Sequence, residues 1–243
     1  MISNNINVKI MKKIILLSIL VCVSFSVCLA AKPNVWLIGD GSMATASESF
    51  VRGWGEALSE HLAKGVVLHN EAKNGMSLKS FVDNDGLKQL EKLPAKAMVI
   101  VQFGGNDLND LSPEQYSTLD AFVRRFHDVV EVAQKNKLQL VLCTPLARPY
   151  YHEGCWIDRL GGYDDVVRRM AQYFNLPLLD LEVVTREWWM SMSEADASMF
   201  YIGAVENEAF LLTEEGAKKV AEMAADAIRQ TKGGKVSKIV KKK

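Results

Sequence analysis

Four short polar segments hold the residues in this sequence that are best suited to chemistry. Each follows an apolar run, and together they cover residues 39–44, 70–77, 103–107 and 144–148. They contain a hydroxyl, carboxylates, amides and an arginine, groups that can act as a nucleophile or donate hydrogen bonds to a developing negative charge. Each segment alone is ordinary turn chemistry, but their order and spacing together are specific.

The elements around these segments predict how they are positioned. Apolar runs at 35–39, 66–69, 97–103, 138–143 and 176–179 predict strands, and helical patterns at 54–64, 78–93, 113–135, 162–174 and 213–230 alternate with them. This β-α-β alternation predicts a single α/β domain in which helices cover both faces of a flavodoxin-like, five-stranded parallel sheet (three layers, α/β/α). The carboxyl ends of such strands share one edge, so we expect the four segments to meet in one cleft.

Taken together, the segments resemble the SGNH (GDSL) hydrolase family, and within it the rhamnogalacturonan acetylesterase-like carbohydrate esterases. The motifs are Gly-Asp-x-x-Met-Ala, Gly-Trp-Gly, Asn-x-Ala-x-x-Gly, Phe-Gly-x-Asn-Asp and Thr-Pro-x-x-Arg, and the resemblance extends from Val35 to Ile228. It implies the SGNH fold and acyl transfer. In that mechanism a serine attacks the ester, a late histidine takes its proton, and an oxyanion hole stabilises the intermediate.

The family's functional positions are only partly filled here. Gly75 stands at the oxyanion-hole glycine and Asn106 at the oxyanion-hole asparagine. The nucleophile position is Gly41, and Ser42 falls one residue late. Because one step along a turn redirects a side chain, Ser42 is not a ready substitute for the missing serine.

The catalytic histidine is also absent. One alignment puts Leu211 at the histidine and Glu208 at the acid, and a second puts Ala209 and Glu206 there. We therefore expect a catalytically impaired pseudo-esterase that keeps a carbohydrate-type cleft. The alternative is an active, divergent O-acetyl esterase of pectic or hemicellulosic sugars that uses Ser42.

Further residues are candidates for binding a ligand in the cleft: Asp40, Ser42, Arg148 and His152. Arg148 matches the family arginine, whose planar fork suits a sugar hydroxyl or a carboxylate, or a structural salt bridge. His152 is a candidate for a relocated base that serves Ser42. The alternative is a loop histidine that has no catalytic part. The pattern predicts no metal site and no cofactor.

The two ends of the chain differ in composition from the middle. Lys12, Lys13, an apolar run and small residues before residue 32 predict a signal peptide over 1–31, with Met11 as an alternative start. We expect export to the periplasm or the exterior without a lipid anchor, a mature domain over 32–232 without a membrane span, and a disordered basic tail over 233–243. Zero formal net charge does not favour nucleic acid as a partner, and the oligomeric state stays open.

Two cysteines, Cys143 and Cys155, follow the predicted signal peptide. Export would permit a disulfide between them, and a buried free thiol at Cys143 is the alternative.

Overall fold

The computed structural model describes residues 33–45, 51–202, 211–231 and 235–242. Its central feature is the predicted five-stranded parallel sheet. The strands are β1 (Asn34–Gly39), β2 (Val67–Asn70), β3 (Met98–Gln102), β4 (Gln139–Cys143), β5 (Tyr151–His152), β6 (Cys155–Trp156), β7 (Leu178–Leu179), β8 (Tyr201–Ile202) and β9 (Leu211–Leu212). The order of strands in the parallel sheet is β2-β1-β3-β4-β7, and β5–β6 and β8–β9 form two small antiparallel pairs outside it.

Helices pack on both faces of this sheet and complete the expected α/β/α domain. They are α1 (Trp54–Ala57), α2 (Leu78–Asp83), α3 (Gly86–Glu91), α4 (Leu119–Lys135), α5 (Tyr163–Tyr173), α6 (Leu181–Met190), α7 (Glu194–Ala197) and α8 (Glu214–Gln230), with 3₁₀ turns at Leu58–His61 and Val236–Ile239. One apolar core joins the sheet to α1, α6 and α8. The other joins it to α2, α3, α4 and α5. A sheet covered on both faces requires apolar strands, and all five residues of β3 are buried.

The register of the sheet brings the polar segments together. Gly39 pairs with Gln102 across β1 and β3, and Gln102 pairs with Cys143 across β3 and β4. Three strands therefore end side by side, and the loops that follow them leave from the same edge.

Helix α4 begins later than the sequence pattern predicts. The predicted start was Pro113, but the helix begins at Leu119 with Thr118 as its cap, whose hydroxyl accepts the N–H of Ala121. A single turn does form after Ser112, but it stops because the N–H of Ser117 donates to the carbonyl of Asp107 instead. The segment before α4 is therefore a loop that is free to line the cleft.

The C-terminal segment differs from the predicted disordered tail. Val236, Ile239 and Val240 are buried in the core beside α8, and Val240 pairs with Leu62. The lysines of this segment suggest disorder, but its three apolar residues pack into the core, and residues 236–239 form a 3₁₀ turn.

The two cysteines that follow the predicted signal peptide are not bonded to each other. Cys143 is buried in β4 and Cys155 is exposed on the β5–β6 hairpin, and both are free thiols. The predicted signal peptide lies outside the described residues. Among the helices that the structure describes, none is long and apolar enough to cross a membrane.

Candidate active-site cleft

A cleft of about 280 Å³ opens at the carboxyl edge of the sheet. Its lining comes from all four predicted segments, from the loop before α4 and from β9. The lining residues are Asp40, Gly41, Ser42, Asn74, Gly75, Gly105, Asn106, Asn109, Ser112, Gln115, Leu146, Arg148 and Leu211. Six predicted site residues and the proposed histidine position, Leu211, therefore meet in one place.

Ser42 is held by the turn in which it lies. Its hydroxyl lies 2.6 Å from Oδ1 of Asp40, and its backbone N–H donates to the same oxygen at 2.9 Å. Oε1 of Gln102 lies 3.2 Å from the hydroxyl on the other side. Ser42 is 7% exposed and lines the cleft, and its hydroxyl is within hydrogen-bond distance of two groups of the cleft floor.

The buried carboxamide of Gln102 links several segments beneath the cleft. Oε1 of Gln102 accepts the indole N–H of Trp54 at 3.0 Å, and Nε2 of Gln102 donates to the carbonyl of Thr144 at 2.9 Å. Gln102 and Trp54 are both fully buried. Trp54 is consequently a core residue that supports the first loop, rather than a surface on which a sugar could stack.

The nucleophile position is occupied from across the cleft. A Cβ atom on Gly41 would lie 2.5 Å from Oδ1 of Asn74 and 3.2 Å from its Cα. The first distance is shorter than real Cβ contacts allow, so Asn74 would have to move before any side chain fits at residue 41. A side chain at residue 41 therefore requires a different position of the Asn74 carboxamide.

The two oxyanion-hole positions lie on neighbouring loops that are bonded to each other. Gly75 has a φ of 73°, a conformation that favours glycine, and its carbonyl accepts Nε2 of Gln115 at 2.8 Å. Asn106 donates from Nδ2 to the carbonyl of Met76 at 3.0 Å. Both contacts join the β2 loop to the β3 loop and keep Gly75 and Asn106 on the same side of the cleft.

Asp107 connects the same two loops by hydrogen bonds to their backbone. Its carboxylate accepts the N–H groups of Leu78, Lys79 and Gly104 at 3.0, 3.3 and 3.1 Å. Burial raises its pKa to about 7, although these three hydrogen bonds act in the opposite direction. Asp107 is a positioning residue for the loops that carry Gly75 and Asn106.

The charged groups of the cleft face each other. The Arg148 guanidinium donates to the carbonyl of Gly105. Burial has the larger effect on Asp40 and raises its pKa overall, against the hydrogen bonds from Ser42 and the charge of Arg148. Asp40 and Arg148 are each 7% exposed. Arg148 thus holds a backbone carbonyl of the cleft wall, and its binding of a ligand stays a prediction.

No imidazole reaches this cleft. All four histidines of the chain lie in the described part, and none of them lines it. His152 is exposed on the β5–β6 hairpin, paired with Cys155, so the structure does not bring it to the other predicted ligand-binding residues. Leu211 lines the cleft, whereas Glu206, Glu208 and Ala209 lie outside the described residues.

Several lining residues were missed in the sequence: Asn74, Asn109, Ser112, Gln115 and Leu146. Asn74 directly precedes the oxyanion-hole glycine, which was a usable signal. Gln115 was hidden by its assignment to a helix that begins only at Leu119.

Away from the cleft, one exposed group on α4 has ligand atoms within 4.8 Å of one another: His127, Asp128 and Glu131.

Comparison with known proteins decides the family. The model of the GDSL-like Lipase/Acylhydrolase family matches residues 37–218, which is most of the chain. The chain belongs to this family. Among curated relatives of this GDSL-like protein is rhamnogalacturonan acetylesterase RhgT of Bacillus subtilis (strain 168). It is 26% identical over 213 residues, which cover 81% of this chain and 90% of the relative.

Solved structures agree with the fold. Axe2, an acetylxylan esterase from Geobacillus stearothermophilus, is similar with a TM-score of 0.60 at 16% identity, over 82% of this chain and 94% of that one. The YXIM protein of Bacillus subtilis gives a TM-score of 0.70 at 20% identity. The match covers 82% of this chain and 56% of that protein's length. At these identities the likeness concerns the fold alone.

Proposed function

We propose that this GDSL-like protein is a catalytically impaired esterase that binds a carbohydrate in its cleft without hydrolysing it. The observation that carries the proposal is the pairing of Gly41 with Asn74, because the carboxamide lies where a nucleophile's side chain would begin. Without a hydroxyl there, no acyl-enzyme can form at the family's position.

The second missing group supports the same conclusion. Leu211 lines the cleft at the position that the resemblance assigns to the base, and an aliphatic side chain cannot take a proton. A triad enzyme that lacks its serine or its histidine still accelerates the reaction only about 10³–10⁴-fold over the uncatalysed rate in water. This remainder comes from the oxyanion hole and from substrate binding.

Ser42 does not restore the chemistry in this arrangement. Its proton is directed to Asp40, and none of the chain's histidines lines the cleft beside it. The retained Gly75 and Asn106 favour the alternative of a divergent esterase that uses Ser42, so the experiment must include this serine.

The carbohydrate part of the proposal rests on the family and on the lining. Amide and hydroxyl side chains dominate the cleft, and such groups bind sugar hydroxyls as both donors and acceptors. We also propose that the protein is exported, because residues 12–31 have the basic start, apolar run and small-residue end of a signal peptide.

Hydrolysis of 4-nitrophenyl acetate by the purified mature protein tests the loss of activity. We expect the wild type to turn over at least about 10²-fold more slowly than Gly41→Ser/Asn74→Ala/Leu211→His, which restores the serine and the histidine and clears space for the serine. Ser42→Ala is the matched control and should leave the wild-type rate unchanged. Wild-type turnover that disappears in Ser42→Ala would refute the proposal in favour of the divergent esterase.

A further inference from the structure

The cleft has no unpaired positive charge among its described lining residues. Its two charged side chains, Asp40 and Arg148, are both buried and interact with each other, and Arg148 also donates to the carbonyl of Gly105.

A lysine does lie close to one side of the cleft, but its charge is offset. Lys73 and Glu71 line the adjoining groove, which shares Asn74 and Gly75 with the cleft. Neither Lys73 nor Glu71 lines the cleft itself. The two opposite charges leave this side of the cleft without a net positive field.

Four carboxamides supply most of the remaining polar lining: Asn74, Asn106, Asn109 and Gln115. Their nitrogens are partly used, since Asn106 donates to Met76 and Gln115 donates to Gly75. Within the described residues, the side-chain oxygens of Asn106 and Gln115 accept no hydrogen bond, and the carboxamide of Asn74 has no partner. The cleft thus offers a ligand both acceptor oxygens and N–H donors.

A hydroxyl group can use both the oxygens and the N–H groups of this lining, whereas a carboxylate can use only the N–H groups. A hydroxyl donates to an amide oxygen and accepts from an amide N–H, whereas an ionised carboxylate only accepts. A carboxylate placed against these oxygens would lose water without gaining a cation, which is costly. The contrast applies directly to sugars, because uronic acids carry a carboxylate and neutral pentoses and hexoses do not.

We propose that the cleft selects an uncharged, hydroxyl-rich saccharide over a uronic-acid saccharide. This inference rests on the proposed function, since it specifies the class of carbohydrate that the same cleft would hold. Pectic and hemicellulosic sugars are the two classes that the sequence suggests. Of these, the cleft favours hemicellulosic chains of neutral sugars over pectic chains of galacturonate.

Isothermal titration calorimetry with two oligosaccharides of equal length tests the selection. The probes are partially O-acetylated xylohexaose, which is neutral, and partially O-acetylated hexagalacturonate, at 50 and 500 mM NaCl. We expect the xylo-oligosaccharide to bind at least 10-fold more tightly, with an affinity that salt does not change. Equal affinities, or tighter binding of galacturonate, would overturn the inference and leave the proposed function intact. Binding of neither probe would overturn the carbohydrate-binding proposal itself.

A charge added to the cleft provides the reciprocal test. Asn109→Lys places a cation in the lining, and Asn109→Gln is the matched control that keeps an amide. We expect Asn109→Lys to raise the affinity for hexagalacturonate at least five-fold at 50 mM NaCl, and 500 mM NaCl to remove the gain. Asn109→Gln should leave the preference for the neutral probe in place. An unchanged preference in folded Asn109→Lys would show that charge does not set the selection.

Discussion

The contact between Gly41 and Asn74 predicts a measurable coupling between the two residues. In Gly41→Ala the new Cβ would lie 2.5 Å from Oδ1 of Asn74, well inside the 3.4 Å at which ordinary contact begins. The backbone of Gly41 is outside the left-handed region, so alanine adds no backbone strain. Asn74 must therefore rotate or shift, and an off-rotamer side chain costs about 0.5–1.5 kcal/mol.

A second effect of this substitution has the opposite sign. Replacing glycine with alanine restricts the unfolded chain and stabilises a protein by about 0.4–1 kcal/mol where the backbone permits it. In the wild-type background we expect these effects nearly to cancel. In an Asn74→Ala background the close oxygen is gone, so Gly41→Ala should be stabilising. The coupling free energy should be about 1 kcal/mol, or about 2–4 °C in Tm for a domain of this size.

Thermal unfolding of the wild type, the two single variants and the double variant measures this coupling. The matched control repeats the measurement with Asn109→Ala. This variant removes another carboxamide of the cleft, whose atoms are not among the three nearest to a Cβ at residue 41. Equal effects of Gly41→Ala in the wild-type and Asn74→Ala backgrounds would refute the steric argument. So would the same coupling with Asn109→Ala. Neither result depends on whether the protein has esterase activity.

Two further predictions concern the scaffold of the cleft and the C-terminal segment. Burial raises the pKa of Asp107 from 3.8 to about 7, so the folded state holds a proton that the unfolded state releases, and stability should fall as pH rises from about 4 to 7. The Tm of the wild type should therefore fall relative to Asp107→Asn across that range, and a difference that does not change with pH would contradict the assignment. Ile239→Ala should lower the free energy of unfolding in urea by about 2–4 kcal/mol, because Ile239 is 1% exposed in the core. Lys242→Ala, at an exposed position, should have no effect, and equal behaviour of the two variants would mean that the segment is not packed.

The sequence was most informative where the pattern is local. Five apolar runs predicted the parallel sheet, and the rule that strand ends share an edge predicted that Gly75, Asn106 and Arg148 would line one cleft. The order of the motifs also placed Leu211 in the lining, although it follows Gly75 by more than a hundred residues.

Contacts between loops could not be predicted in the same way. The approach of Asn74 to Gly41 depends on atomic positions in two loops that follow different strands. The late start of α4 depends on one hydrogen bond, from Ser117 to Asp107, which no helix propensity describes. In the C-terminal segment, three buried apolar residues outweighed the lysines that suggested disorder.

The supports of the cleft and the family's reactive positions are separate parts of this molecule. Gln102 and Asp107 connect the loops beneath the cleft, and neither makes a hydrogen bond with a side chain at residue 41 or 211. Substitutions at residues 41 and 211 therefore leave the hydrogen bonds of Gln102 and Asp107 in place. Apart from the contact between residues 41 and 74, the recess and its reactive positions can change independently of each other.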